Sequence, residues 1–119
     1  MTRKLVNDHR ILNDINQYLD LAVPLVDQTF SKTVDLRRLL TGYSDYTVEA
    51  DITIAPAADG IQGGCAEINL IADGSHTPTF SGMTKSEASE DWDTTEGKIH
   101  KTVFYYDGSV VYYSHTYLN

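Results

Sequence analysis

Two histidines, His100 and His115, flank an Asp107-Gly108 pair near the end of the chain. An Asp-Gly pair between two runs of Val, Tyr, Phe and Thr signals a hairpin with a two-residue type I′ turn. Counting outward from that turn pairs Phe104 with Val111, Thr102 with Tyr113 and His100 with His115. Two imidazoles facing each other across a ladder are the start of a zinc or copper site, or of a proton-linked pair, since histidine titrates near neutral pH. A metal site needs a third ligand, and none stands at zinc spacing, so neither a metal nor a cofactor is expected. The structural alternative is two rings satisfied by nearby hydroxyls such as that of Thr102.

Other residues could do chemistry on their own. Cys65 follows Gln62-Gly63-Gly64 and could pair with a histidine as a nucleophile, but no protease signature surrounds it. A small thiol at the start of a buried strand is the simpler reading. Glu49 and Asp51 share one polar strand face, where solvated carboxylates are expected rather than an acid–base pair. No P-loop, dinucleotide fingerprint, nucleophile elbow or zinc-finger spacing is present.

The segment 87–96 carries a different kind of chemistry. Glu87, Glu90, Asp91, Asp93 and Glu96 surround Trp92, the only tryptophan of the chain, with no basic residue among them. Carboxylates around an aromatic anchor would steer a basic partner and hold it. The competing reading makes Trp92 a plug for the core beneath a solvated loop.

The charge of the whole chain favours the same kind of partner. The 119 residues carry a formal net charge of −8, and residues 42–119 hold twelve Asp/Glu against three Lys/Arg. Such a surface repels phosphate backbones, so direct nucleic-acid binding is not expected. It would attract a basic protein surface, including the nucleic-acid-binding groove of another protein. An apolar fraction of 41% and a charged fraction of 22% describe a folded chain, and the length suits a single domain spanning 1–119. One cysteine allows no internal disulfide, and neither a secretory signal nor a bilayer-spanning run is visible; the expected location is the cytoplasm, or that of a host cell.

The elements that must position these residues read as α+β. Ile11, Leu12, Ile15, Tyr18, Leu19 and Ala22 recur at helical spacing after a cap at Asn7 or Asp8. Pro24 breaks that helix. Leu25, Val26, Phe30, Leu36, Leu39 and Leu40 suggest a second one ending at Gly42. Alternation over 46–54 and again over 66–72 predicts two strands, with a short one around 79–83. Thr84 and Glu87 match a capping box for a helical turn. The hairpin 98–106 with 109–118 closes the chain. The expected architecture is N-terminal helices packed on one face of a curved, mostly antiparallel sheet, without internal repeats.

The closing stretch from Phe104 through Asp107-Gly108 to His115 resembles the end of the cone-shaped NTF2-like domains. That resemblance implies a pocket between helices and sheet, lined by Tyr113 and His115, for a small ligand or substrate. By type, a small, acidic, motif-free chain is similar to phage-encoded inhibitors of defence nucleases and to toxin-immunity proteins. The leading expectation is therefore a non-enzymatic binding or inhibitor protein docking through Glu87, Glu90, Asp91, Trp92, Asp93 and Glu96. The tyrosine-rich hairpin would supply a second contact or a homodimer seam. The pocket protein with His100, Tyr113 and His115 is the alternative.

Overall fold

The computed structural model describes residues 25–119, and among these there is no helix. The fold is built from β1 (Leu25–Gln28), β2 (Thr33–Val34), β3 (Thr41–Tyr43), β4 (Tyr46–Val48), β5 (Thr53–Pro56), β6 (Cys65–Ala72), β7 (Thr79–Phe80), β8 (Thr84–Lys85), β9 (Ile99–Tyr106) and β10 (Val111–Tyr117). This corrects the α+β expectation. The helix expected between Asn7 and Ala22 lies outside the described residues.

The chain winds. Its first pass contributes β1 and β2, its second β3, β4 and β5, and its third β6 and β7. Each pass lays a parallel strand on the previous one in two sheets at once. In one sheet Leu25 pairs with Thr41 and Thr41 with Ala66, while Tyr46–Val48 pair with Leu70–Ala72. In the other, Thr33 pairs with Ala55 and Thr53 with Thr79. Amides between the strands continue the stacking: Ile61 donates to the Leu36 carbonyl (3.0 Å) and Cys65 to that of Arg38 (3.1 Å). The antiparallel part is confined to β6, β9 and β10, and β8 adds a parallel edge to β10.

Local chemistry explains where the helix and strand expectations part from this. Lys32 adopts φ 70°, a left-handed turn that no continuous helix over 25–40 could contain. Asp35 then ties the next corner, its carboxylate accepting from the Arg37 amide (2.9 Å) and guanidinium (3.0 Å) while its own amide donates to the Tyr43 hydroxyl (2.7 Å). Gly42 sits inside β3 rather than behind a helix. The single strand expected over 46–54 is instead two, β4 and β5 in different sheets, broken by an exposed corner at Glu49–Asp51 that leaves Ala50 outside, and Val48 and Ile52 enter the same core from two directions. Thr84 and Glu87 start no helix; Thr84 belongs to β8.

The hairpin forms, two residues out of the expected register. Tyr106 pairs with Val111, Phe104 with Tyr113 and Thr102 with His115, around a four-residue loop. Asp107 sets that loop: its carboxylate accepts from the Ser109 (2.8 Å) and Val110 (2.7 Å) amides, and its own amide donates to the Val110 carbonyl (3.1 Å). Those amide bonds hold the Asp107 carboxyl below its ordinary range. A shift of two preserves which face each side chain takes. His100, Thr102, Phe104, Tyr113 and His115 therefore still share the inner face.

The core lies between the two sheets. Val34, Val48 and Ile54 meet Ala66, Ile68, Leu70 and Phe104, all fully or almost fully buried. Each such aliphatic side chain contributes on the order of 1.5–3 kcal/mol by leaving water. The third pass fits under the first through Gly64, where a Cβ would stand 2.0 Å from the Leu36 carbonyl oxygen.

Candidate functional site: an acidic strap over a histidine–tryptophan cluster

After β8 the chain runs without regular structure along the free edge of β10 and folds back over the end of the core. The segment 86–97 is a strap. Its attachment is largely main chain: Ser86 donates to the Tyr113 carbonyl (2.9 Å) and Glu90 to that of His115 (2.9 Å). The His115 amide donates back to Ser89 Oγ (2.8 Å), and the Tyr117 hydroxyl donates to the Asp91 carbonyl (2.7 Å).

Trp92 faces inward. Its ring stacks on His100, centroids 3.8 Å apart at 14°, and its Nε1 donates to the His76 carbonyl (3.1 Å). The indole is half-buried against the core. His76 is itself held by Asp73, Nδ1 to Oδ2 at 2.6 Å, in a turn where the amides of Ser75 and His76 also reach that carboxylate. These bonds, led by the His76 amide, lower the Asp73 carboxyl to about 2.

His100 and His115 are buried, and they are diagonal rather than opposite neighbours, ring centroids 5.5 Å apart. His100 Nε2 accepts the Asp93 amide (2.9 Å) and its Nδ1 reaches the Leu70 carbonyl (3.2 Å). His115 Nδ1 meets Thr102 Oγ1 at 2.8 Å. Burial pushes His115 down to about 4, helped by neighbouring His100 and Lys85, and burial also lowers His100. Tyr113 stacks on Phe80 at 4.1 Å and packs edge-on against His115. These rings fill one another's space, and a well-formed cleft lies elsewhere.

That cleft, about 250 Å³, opens beside the turn end of the hairpin between Leu36, Pro56, Ala58, Gly60, Tyr106 and Val111. Neither Tyr113 nor His115 lines it.

The carboxylates of the strap divide into two groups. Asp91 is ion-paired with Lys85, and Asp93 accepts the Thr95 amide (2.9 Å); both are held below the ordinary carboxyl range by those bonds. Glu87, Glu90 and Glu96 are exposed, with no side-chain hydrogen bond or ion pair among the described residues. Among the described residues, cations are scarce nearby. Lys85 is taken by Asp91, Lys98 lies over the Tyr117 ring at 4.3 Å, and Lys101 pairs with Glu67 at 3.0 Å.

The other candidates can be placed as well. Cys65 is half-buried, and burial pushes its thiol up, away from the thiolate a nucleophile needs. Glu49 and Asp51 are exposed at the β4–β5 corner. Among the described residues no three His, Cys, Asp or Glu side chains converge as a metal site, and no helix is long and apolar enough to cross a membrane. Sequence reasoning missed the parts played by the Asp93 amide, the His76 carbonyl and Phe80. A backbone donor carries no signal in residue type, whereas Phe80 lies in the short strand expected around 79–83, and only its packing partners were not foreseen. Compared with protein families, with curated proteins and with solved structures, the chain matches none.

Proposed function

We propose that this chain is a non-enzymatic binding protein that docks on a basic surface of a partner protein through the outer side of its acidic strap. The observation that carries the reading is the separation of roles within 86–97. Main-chain bonds and Trp92 fix the strap from beneath, while Glu87, Glu90 and Glu96 project without a paired cation among the described residues. A pre-ordered row of unneutralised carboxylates loses little entropy on docking and steers a basic partner from a distance.

Asp91 and Asp93 contribute field more than contact, since each is already bonded within the strap. The hairpin supplies the second contact, with the apolar cleft beside Tyr106 and Val111 receiving a side chain of the partner. The partner class includes a nucleic-acid-binding groove, and a second copy of the chain on the hairpin is compatible with it. Direct nucleic-acid or membrane binding is not part of the reading. A lone thiol that burial keeps protonated suits a reducing location, the cytoplasm of the source or host cell. The small-ligand alternative has less support, because the histidine–tyrosine cluster is packed and the cleft lies away from it.

The test is site-specific photo-crosslinking from Ala88, which is exposed within the strap, in cells expressing the protein. The reading expects a basic protein to be captured by the natural sequence and lost with the combined Glu87→Gln, Glu90→Gln and Glu96→Gln variant. A partner captured equally by both would refute it.

A further inference from the structure

The strap is fastened by a hydrogen bond whose acceptor can itself take up a proton. His100 Nε2 accepts the Asp93 amide at 2.9 Å, so in the neutral ring the proton sits on Nδ1, which donates to the Leu70 carbonyl at 3.2 Å. Both ring nitrogens are satisfied in one charge state and one tautomer. Trp92, the residue before the latched amide, lies flat on the same ring.

We propose that this latch is released by acid: a proton taken from solvent by His100 Nε2 removes the acceptor of the Asp93 N–H, sets two donors against each other, and frees the strap around Trp92. The pairing of β6, β9 and β10 does not depend on that nitrogen and stays closed.

The groups facing the latch fix its sign. Burial disfavours the imidazolium, and the cation of Lys98 adds to that; the Leu70 carbonyl and the Asp93 carboxylate favour it. The indole face attracts a cation too, which holds a charged ring in place but cannot restore an acceptor for the amide. His115, next to His100, is opposed by burial, by His100 and by Lys85 and favoured by Asp91; it stays neutral until the pH nears about 4. Tyr117 meets His100 edge-on, and Phe80 and Tyr113 enclose His115 without adding charge. The Asp73–His76 pair reaches the cluster only through the carbonyl that holds Trp92. Of the two buried rings, His115 is the more strongly opposed, so between them His100 takes up a proton first. The inference concerns the fold's own latch and stands whether or not the strap binds a partner.

The experiment follows Trp92 emission and amide exchange from about pH 7.5 to about pH 4.5, the span over which histidine changes charge. Trp92 is the only tryptophan, so its emission reports the strap alone. The expected result is a red shift together with falling protection factors at Glu90 and Asp93, by up to about tenfold per pH unit between the ordinary histidine range and the His100 midpoint, while Ile68 and Phe104 stay better protected than Asp93. His100→Gln keeps an acceptor and cannot titrate, so its emission should be flat over the same span. If that variant does not fold, the ring C–H titration of His100 in the natural chain replaces it, and its midpoint must coincide with that of the Asp93 amide. An Asp93 amide that stays protected while His100 titrates would overturn the proposal. So would protection of Ile68 and Phe104 no greater than that of Asp93 across this span, which would mean that the strap opens only by global unfolding.

Discussion

Replacing Trp92 with alanine removes an inward-facing indole, a stack and a hydrogen bond at once. A fully buried aromatic cut to alanine costs about 3–5 kcal/mol; Trp92 is half-buried, so roughly half of that, about 2 kcal/mol, comes from surface and packing. Losing the 3.8 Å stack on His100 adds about 1 kcal/mol. The bond to the His76 carbonyl adds about 1 kcal/mol more. These contributions share one contact surface and overlap, so the expected total is about 3 kcal/mol. For a chain of 119 residues that corresponds to a fall in Tm of roughly 10 °C. The assay is a thermal melt followed by circular dichroism, since the variant has no tryptophan left to report. Trp92→Phe keeps part of the stack and should recover part of the loss. A Tm for Trp92→Ala within about 2 °C of the natural chain would refute the reasoning, because an anchor of this magnitude cannot be removed unnoticed.

Gly64→Ala should destabilise the fold by about 3 kcal/mol or more, because the new methyl would stand 2.0 Å from the Leu36 carbonyl oxygen and the backbone there has nowhere to go; urea midpoints measure it. The buried histidines make the fold weaken in mild acid. With His115 lowered to about 4 from an ordinary 6.5, its contribution is full above about pH 6.5 and falls by about 3 kcal/mol as the pH drops toward 4, with His100 acting in the same direction. The lowered carboxyls, led by Asp73 at about 2, lose their stabilisation only at lower pH. Urea midpoints at several pH values separate the two windows, and His115→Gln should flatten the upper one.

What the sequence made legible follows from which physical signals are local. Strict alternation placed Ala66, Ile68, Leu70 and Ala72 on one buried face, and the structure keeps them there. Face parity along the hairpin survived a wrong register, since the Asp107 carboxylate lengthened the loop by two residues and an even shift flips nothing. The winding was not legible. Its passes are unequal, with Leu25 stacked on Thr41 but Thr41 on Ala66, so no fixed period marks them. The apolar spacing of Leu36, Leu39 and Leu40 fits a helix as well as it fits a corner that buries Leu36 and exposes Leu39. Only the left-handed Lys32 and the Asp35–Arg37 tie decide between them, and neither residue type announces that role. At the site, the clustering of charge around Trp92 was visible by eye. That the ring turns inward depends on His100 and His76, brought to it from β9 and the 73–76 turn by the fold itself.

If the exposed carboxylates of the strap bring a basic partner in, the association rate of the captured partner must depend on ionic strength, and it is measured for the natural chain and for the combined Glu87→Gln, Glu90→Gln and Glu96→Gln variant. The natural chain should associate more slowly as salt rises, the variant should be slower by about tenfold at low salt, and the two should converge at high salt with similar dissociation rates. Equal association rates at low salt, or a difference that salt leaves unchanged, would contradict this role of the carboxylates.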